Sequence, residues 1–202
     1  AYRAALDRLT ALGLTYPCRC TRGDIRAALS APQEGAPVEG PDGVIYPGTC
    51  RARPMAEAGP GDAVRLDIAK AVRLLATLPA FDERGPLNPG TYRPTVADLV
   101  NGIGDIVLAR KDMGTSYHLS VVVDDAEQGI TEVVRGADLF PATAIHVLLQ
   151  ALLGLPRPDY YHHRLIRDES GKRLAKRDDA RALRSFRDQG LGPADIRAML
   201  NL

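Results

Sequence analysis

Residues Tyr117 to Leu139 read YHLSVVVDDAEQGITEVVRGADL, and this stretch decides the fold. Leu119, Val122, Val123 and Ala126 fall at i, i+3, i+4 and i+7, one face of a helix, and Gly129 stands where such a helix stops. Val121 to Val123 are β-branched and favour a strand by propensity. Ile130 to Val134 suits a strand, and so does Ile106 to Ala109 upstream. Parallel strands need a crossover. The spacing therefore predicts strand, helix, strand, as in half of a doubly wound sheet. In that arrangement Tyr117 opens the helix and Arg135 leaves the C-terminal end of the second strand, where open α/β sheets bind their ligands.

Outward from this stretch the pattern stays mixed. Downstream, Pro141 suits the first turn of a helix running to Leu153, with Gly154 behind it. Ala180 to Asp188 and Pro193 to Leu200 read as two short terminal helices. Upstream, Tyr2, Ala5, Leu6, Leu9 and Leu12 recur at helical spacing before Gly13. Ser30 to Gly43 and Thr77 to Thr95 are rich in proline and glycine and read as loop or surface segments. Val64, Leu66 and Ile68 alternate with polar residues, as in a half-buried strand. Gly102-Ile103-Gly104 lacks a third glycine and reads as a turn.

With 202 residues, 45% of them hydrophobic and 25% charged, the chain suits one globular domain or slightly more. Apolar runs such as Val147 to Leu149 are far too short to cross a bilayer. The net charge of +1 makes no global case for nucleic acid. Between Arg157 and Arg187, however, ten Arg or Lys stand against five Asp or Glu, a local excess of +5 that suits phosphates or a solvated surface equally. Three cysteines, an odd number, argue against a disulfide framework and fit a reducing cytoplasm.

Three groups of residues could carry chemistry. Cys18-Arg19-Cys20 and Tyr46-Pro47-Gly48-Thr49-Cys50 form two close pairs, the way a chain clamps one zinc ion; by spacing alone, three buried thiols explain them at least as well. Tyr117 and Arg135 could meet a carboxylate, the guanidinium through a bidentate pair and the phenol by donating beside it. Gly171 to Asp178 (GKRLAKRD) is a basic turn that could close on a departing anion. Asp124 and Asp125 point about 100° apart on one helix and read as capping or packing partners. His146 lies in an apolar helix and reads as packed. His162 and His163 read as flanking an adenosine or the surface.

Together these residues resemble the class I glutamyl-type tRNA synthetases. Among those they are most similar to the short glutamyl-Q branch, which glutamylates the base queuosine instead of a tRNA 3′ end. The resemblance covers nearly all of the chain. It implies an α/β fold: a partial Rossmann-like catalytic domain with a zinc-binding insertion lobe and a short C-terminal helical tail. Residues 1–63 would hold the first helix and the zinc lobe, 64–160 the second half of the Rossmann-like domain, and 161–202 the basic loop and terminal helices. In that branch Cys-x-Cys precedes Tyr-x-x-x-Cys, so Cys18, Cys20, Tyr46 and Cys50 would hold one structural zinc. Tyr117 and Arg135 would contact glutamate. The basic turn resembles the family's mobile Lys-Met-Ser-Lys-Ser loop. Lys176 is kept and would bind ATP and stabilise the departing pyrophosphate, with Arg173 assisting in place of the first lysine. Lys172 offers an alternative register.

The implied activity is ATP- and Mg2+-dependent activation of L-glutamate and its transfer to queuosine in the tRNA(Asp) anticodon. The bearer would be a cytoplasmic monomer without membrane contact. Two other readings stay open: the catalytic fragment of an ordinary glutamyl-tRNA synthetase, and a tRNA-binding fragment without ATP chemistry. The family's His-x-Gly-His motif and its N-terminal glutamate-binding residues are not found here. The chain opens within a helix, so a longer parent is expected, and residues 1–202 alone are expected to be inactive. Only 26 residues follow Lys176, so no anticodon-binding helical domain is expected, as in the short branch.

Overall fold

Helix α1 (Tyr2–Ala11) buries Leu9 and gives way to Gly13, whose φ of 71° turns the chain back. It turns into β1 (Thr15–Cys18), buried along its whole length, and then into α2 (Arg22–Leu29). The computed structural model describes residues 1–29, 39–167, 171, 174 and 182–200. Within the Pro/Gly-rich stretch expected to be loop, its described part forms a small hairpin, β2 (Glu39–Gly40) with β3 (Gly43–Val44).

Alternation predicts a strand running on to Ile68. Instead β4 (Ala63–Leu66) stops because the Asp67 carboxylate accepts the Lys70 amide and caps α3 (Ile68–Leu74). A larger correction lies in residues 77–95, read as surface loop. They contain β5 (Phe81–Glu83) and β6 (Gly90–Tyr92), an antiparallel pair whose Phe81 and Glu83 are buried. The prolines of this segment fall outside the strands, where no ladder N–H is needed. Their density hides two strands of three residues each.

Strand β7 (Val107–Ala109) leads to α4 (Tyr117–Glu127), capped by the Ser116 hydroxyl and followed by Gly129 at φ 65°. β8 (Glu132–Gly136) starts two residues later than the apolar run suggests. Then follow α5 (Thr143–Leu153), closed by left-handed Gly154, and β9 (Asp159–His163). Two short helices, α6 (Leu183–Asp188) and α7 (Pro193–Met199), come last.

The strands form two main sheets. One has the order β1-β4-β7 and is antiparallel throughout. The other has the order β6-β5-β9-β8, in which β9 runs parallel to both β5 and β8. The crossover expected between β7 and β8 therefore does not exist: those strands lie in different sheets, because β7 finds its hydrogen-bond partners on β4. The parallel unit is β8-α5-β9. Burial explains why α5 serves as its crossover. Val147 packs on Phe81 and Tyr160 at the sheet, while Ile145, Leu148, Leu149 and Leu152 join the main core with α1, α3 and α4. Among the described residues no helix is long and apolar enough to cross a membrane.

Candidate functional site

Cys18 ends β1, Cys20 follows in the next turn, and Tyr46 and Cys50 come from the segment after the small hairpin. Their donor atoms converge. The three Sγ atoms lie within 4.8 Å of one another. The Tyr46 hydroxyl is 3.4 Å from Cys18 Sγ and from Cys20 Sγ, and Cys20 Sγ is 3.5 Å from Cys50 Sγ. Tetrahedral zinc, with bonds of about 2.3 Å to sulfur, sets its ligand atoms roughly 3.8 Å apart. The four residues fit that geometry. The Cys50 amide donates to the Tyr46 oxygen at 2.8 Å, which supports negative charge there. Gly48, at φ 86°, makes the tight return between the two possible. Burial pushes the Cys50 thiol up, but hydrogen bonds from Tyr46, the Arg19 backbone, Cys20 and Cys18 outweigh it and leave the thiol at about 7. Burial holds Cys20 at about 11.

A residue that the sequence reading passed over anchors this cluster to the rest of the protein. Asp105 is buried between the two isoleucines Ile103 and Ile106. Its Oδ2 accepts from the Tyr16 hydroxyl at 2.6 Å and Arg51 Nε at 2.7 Å, and its Oδ1 accepts the Ile68 amide at 3.0 Å. Its carbonyl accepts Arg65 Nη1 at 2.7 Å. One carboxylate thus joins β1, the turn behind Cys50 and the start of α3. The signal was available: a charge inside the apolar run Ile103 to Leu108 has to be paired if it is buried.

Tyr117 is the first residue of α4 and half exposed, whereas Arg135 is the penultimate residue of β8 and buried. They meet through His146. The Tyr117 ring centroid is 5.7 Å from that of His146, whose Nδ1 lies 3.0 Å from Arg135 Nη1. Arg135 Nε donates to His162 Nε2 at 3.0 Å, and Nη2 donates to Thr143 Oγ1 at 2.7 Å and to the Leu139 carbonyl at 3.3 Å. Four of the five guanidinium N–H groups are thereby committed to described residues, which leaves one on Nη1. A carboxylate reaching it meets one N–H and a fixed charge, not an open two-pronged fork. His146 is packed, as its helix predicts. His162 is not at the surface: it is 1% exposed, stacked beside Tyr160 and bonded to Glu83, while His163 is exposed. Asp124 accepts from the Tyr2 hydroxyl at 2.7 Å, a packing role that agrees with the sequence reading.

A cavity of about 900 Å³ lies between the cysteine cluster and the N-terminus of α4. Cys18, Cys20, Tyr46, Asp105, Tyr117 and His118 all border it; Arg135 does not. Arg19, Arg22, Arg26, Arg65, Arg110 and Lys111 line it against Asp42, Asp105 and Asp112, six cations to three carboxylates. The sequence reading placed its basic excess elsewhere, between residues 157 and 187. These cations come from three separate segments and gather only in the fold. Lys172, Arg173 and Lys176 lie outside the described residues. Beside them, Gly171 at φ 80° accepts Arg167 Nη1 at 2.9 Å, and the Leu174 amide donates to Ile166 at 3.0 Å.

Comparison with known proteins matches residues 91–202 to the family of tRNA synthetases class I (E and Q), catalytic domain. A Glutamyl-Q tRNA(Asp) synthetase of Rhodobacter capsulatus is 56% identical over 100% of this chain and 72% of its own length. Proteins of the same name from Burkholderia cenocepacia and Nocardia farcinica are 42% identical, over 91% and 98% of this chain and 56% and 58% of theirs. The glutamate-tRNA synthetase structure from Elizabethkingia anophelis superposes with a TM-score of 0.60 at 22% identity, over 88% of this chain and 35% of that one. That likeness shows a shared α/β fold. The chain spans roughly half to three-quarters of the length of these curated relatives.

Proposed function

This chain belongs to the class I tRNA synthetase (E and Q) catalytic-domain family, and from that premise we propose that the protein carrying it glutamylates queuosine in tRNA(Asp). The observation that carries the reading is 56% identity along the whole chain to a glutamyl-Q relative. Convergence of the Cys18, Cys20, Tyr46 and Cys50 donor atoms supports it, since that ligand set is the one the sequence resemblance implies.

In the proposed reaction the glutamate α-carboxylate attacks the α-phosphate of ATP, forming glutamyl-adenylate and releasing pyrophosphate. A queuosine hydroxyl then attacks the acyl carbon and AMP departs. Mg2+ accompanies ATP and offsets phosphate charge. Arg135 supplies a fixed positive charge for a glutamate carboxylate, and the Tyr117 phenol donates beside it. Both act by positioning and preorganised charge. The six cations around the cavity suit a phosphate-bearing partner. Zinc on the Cys/Tyr cluster would be structural, holding the lobe without taking part in the chemistry.

Lys176 takes its role from the sequence alone, as a cation that meets charge developing on pyrophosphate. Lys176→Ala should slow single-turnover adenylate formation by roughly 100-fold or more while ATP affinity changes little. The acceptor is tested by supplying intact queuosine-bearing tRNA(Asp) and tRNA(Glu) side by side. Transfer to tRNA(Asp) is expected. Charging of tRNA(Glu) alone would instead establish the second reading, an ordinary glutamyl-tRNA synthetase, which the glutamyl-type fold also suits.

A further inference from the structure

Arg135 lies at the centre of a buried polar chain that the proposed reaction does not yet use. A guanidinium can only donate, so its position fixes the tautomers of both flanking imidazoles. On one side His162 Nε2 accepts from Arg135 Nε at 3.0 Å, which places the His162 proton on Nδ1. That proton faces Glu83 Oε2, 2.5 Å away. On the other side His146 Nδ1 accepts from Nη1 at 3.0 Å, so the His146 proton sits on Nε2 and is donated to His118 Nδ1 at 3.1 Å. His118 Nε2 in turn faces Asp42 Oδ1 at 3.2 Å, on the hairpin turn between β2 and β3. The buried charge is thus balanced through neutral imidazoles, with a carboxylate at each end of the chain.

The Glu83 end is built tightly. Its Oε1 accepts the His162 amide at 2.9 Å and the Gly85 amide at 2.7 Å. A Cβ at residue 85 would lie 2.5 Å from that same oxygen and 2.5 Å from the His162 carbonyl, so glycine is required for the approach. Protonation states agree with the geometry. Burial lowers His146 to about 2, and burial also lowers His162 although Glu83 opposes it. Burial raises the Glu83 carboxyl, but the amide and ring of His162 and the Gly85 amide outweigh it and hold it below its usual range.

We propose that Glu83 and His162 are positioning residues of the glutamate site: Glu83 locks His162 in its Nδ1–H tautomer, and that tautomer aims the Arg135 guanidinium. The proposal rests on the reading that Arg135 meets a glutamate carboxylate. The Asp42–His118–His146 arm steadies the opposite side of the same group.

The mechanism makes an isosteric substitution informative. In Glu83→Gln the amide oxygen is kept in place by the two backbone N–H groups, so the NH2 faces His162 Nδ1. That forces the ring proton onto Nε2, against Arg135 Nε–H, donor to donor. Glutamate KM in pyrophosphate exchange should rise roughly tenfold to a hundredfold, with kcat at saturating glutamate much less affected. The double variant Glu83→Gln with His162→Gln should recover most of that loss, because a glutamine at 162 can turn its oxygen to Arg135 whatever residue 83 offers. A merely structural role predicts a double variant at least as impaired as Glu83→Gln, because the second substitution then restores nothing.

The tautomer itself can be read without any variant. Nitrogen-15 NMR of the protein carrying this chain should show His162 protonated on Nδ1 and not on Nε2, and the reverse in Glu83→Gln. A wild-type His162 protonated on Nε2 would overturn the proposal. So would a normal glutamate KM in Glu83→Gln when Arg135→Ala is impaired; that pattern removes the positioning role and leaves Arg135 in the site. A normal glutamate KM in Arg135→Ala would overturn the site reading, and this inference with it.

Discussion

At the cysteine cluster four electron-pair donors converge on one point, whereas at Arg135 the cation is in place and its acceptors converge on it. The two clusters also differ in reach. Cys18, Cys20, Tyr46 and Cys50 fall within 33 residues of sequence. Glu83 and His162 are 79 residues apart and belong to neighbouring strands of one sheet. The first site is written into a short stretch of chain and needs only that its loops close, a cost that grows slowly with length. The second exists only once β5, β8, β9 and α5 have assembled. A local site should therefore fail locally, and an assembled one should take the fold's stability with it.

Metal removal gives the largest expected effect on that contrast. Structural zinc contributes on the order of 10 kcal/mol to the domains that need it. One zinc per chain is expected by metal analysis, lost in Cys20→Ser and weakened less in Tyr46→Phe, since thiolates dominate zinc affinity. Stripping it should loosen residues around 18–50, Asp42 among them, while the Glu83–His162–Arg135 side of the network keeps its tautomer. Near-zero metal in gently purified protein, with all three thiols titrating freely, would break the comparison from the cysteine side.

Arg135→Lys comes next. Lysine carries the charge but cannot reach four separated acceptors with a planar fork. It should cost roughly 2–4 kcal/mol of unfolding free energy, close to the cost of Arg135→Ala, because His146, His162 and Thr143 lose their donor in both. Urea unfolding checks this. A lysine variant as stable as the wild type would show that charge alone, without the network, suffices.

The smallest effect is a pH slope. His146 has its folded pKa pushed down by burial from about 6.5 in the unfolded chain. The unfolded state therefore binds more protons below pH 6.5, and the stability from this group is complete above that value and lost as pH falls toward about 2. The slope from His146 alone is about 1.4 kcal/mol per pH unit. His146→Asn keeps an acceptor for Arg135 without a titrating ring, so its stability should fall less between pH 6.5 and 5 by that slope. Taking the difference between variants cancels the thiol cluster, which acid also weakens. Equal slopes in the two proteins would place the acid-sensitive group elsewhere.

Several features were legible before the fold. Leu119, Val122, Val123 and Ala126 announced α4, and glycines 13, 129 and 154 mark the ends of α1, α4 and α5 in the structure. All are local properties: a helix repeats every few residues, and a left-handed stop belongs to one residue. Two segments misled. Prolines in residues 77–95 concealed β5 and β6, because strands of three residues carry too little periodicity to be seen. The strands on either side of α4, Ile106 to Ala109 and Ile130 to Val134, suggested one crossover, when α4 joins two sheets and α5 makes the crossover.

What the amino-acid sequence determined by itself was the helix registers, the Cys-x-Cys and Tyr-x-x-x-Cys spacing, and the identity of Tyr117 and Arg135 as a pair worth watching. These depend on short-range geometry and on side-chain chemistry carried in the letters. Only the tertiary structure decided which strands share a sheet, that Asp105 ties the turn behind Cys50 to α3, and that Arg135 faces two neutral imidazoles, with Glu83 directly behind His162 and Asp42 a second ring beyond His146. Strand partners and hydrogen-bond directions are settled by which distant groups would otherwise be buried unpaired. That is a property of the assembled interior, and no single segment of this chain contains it.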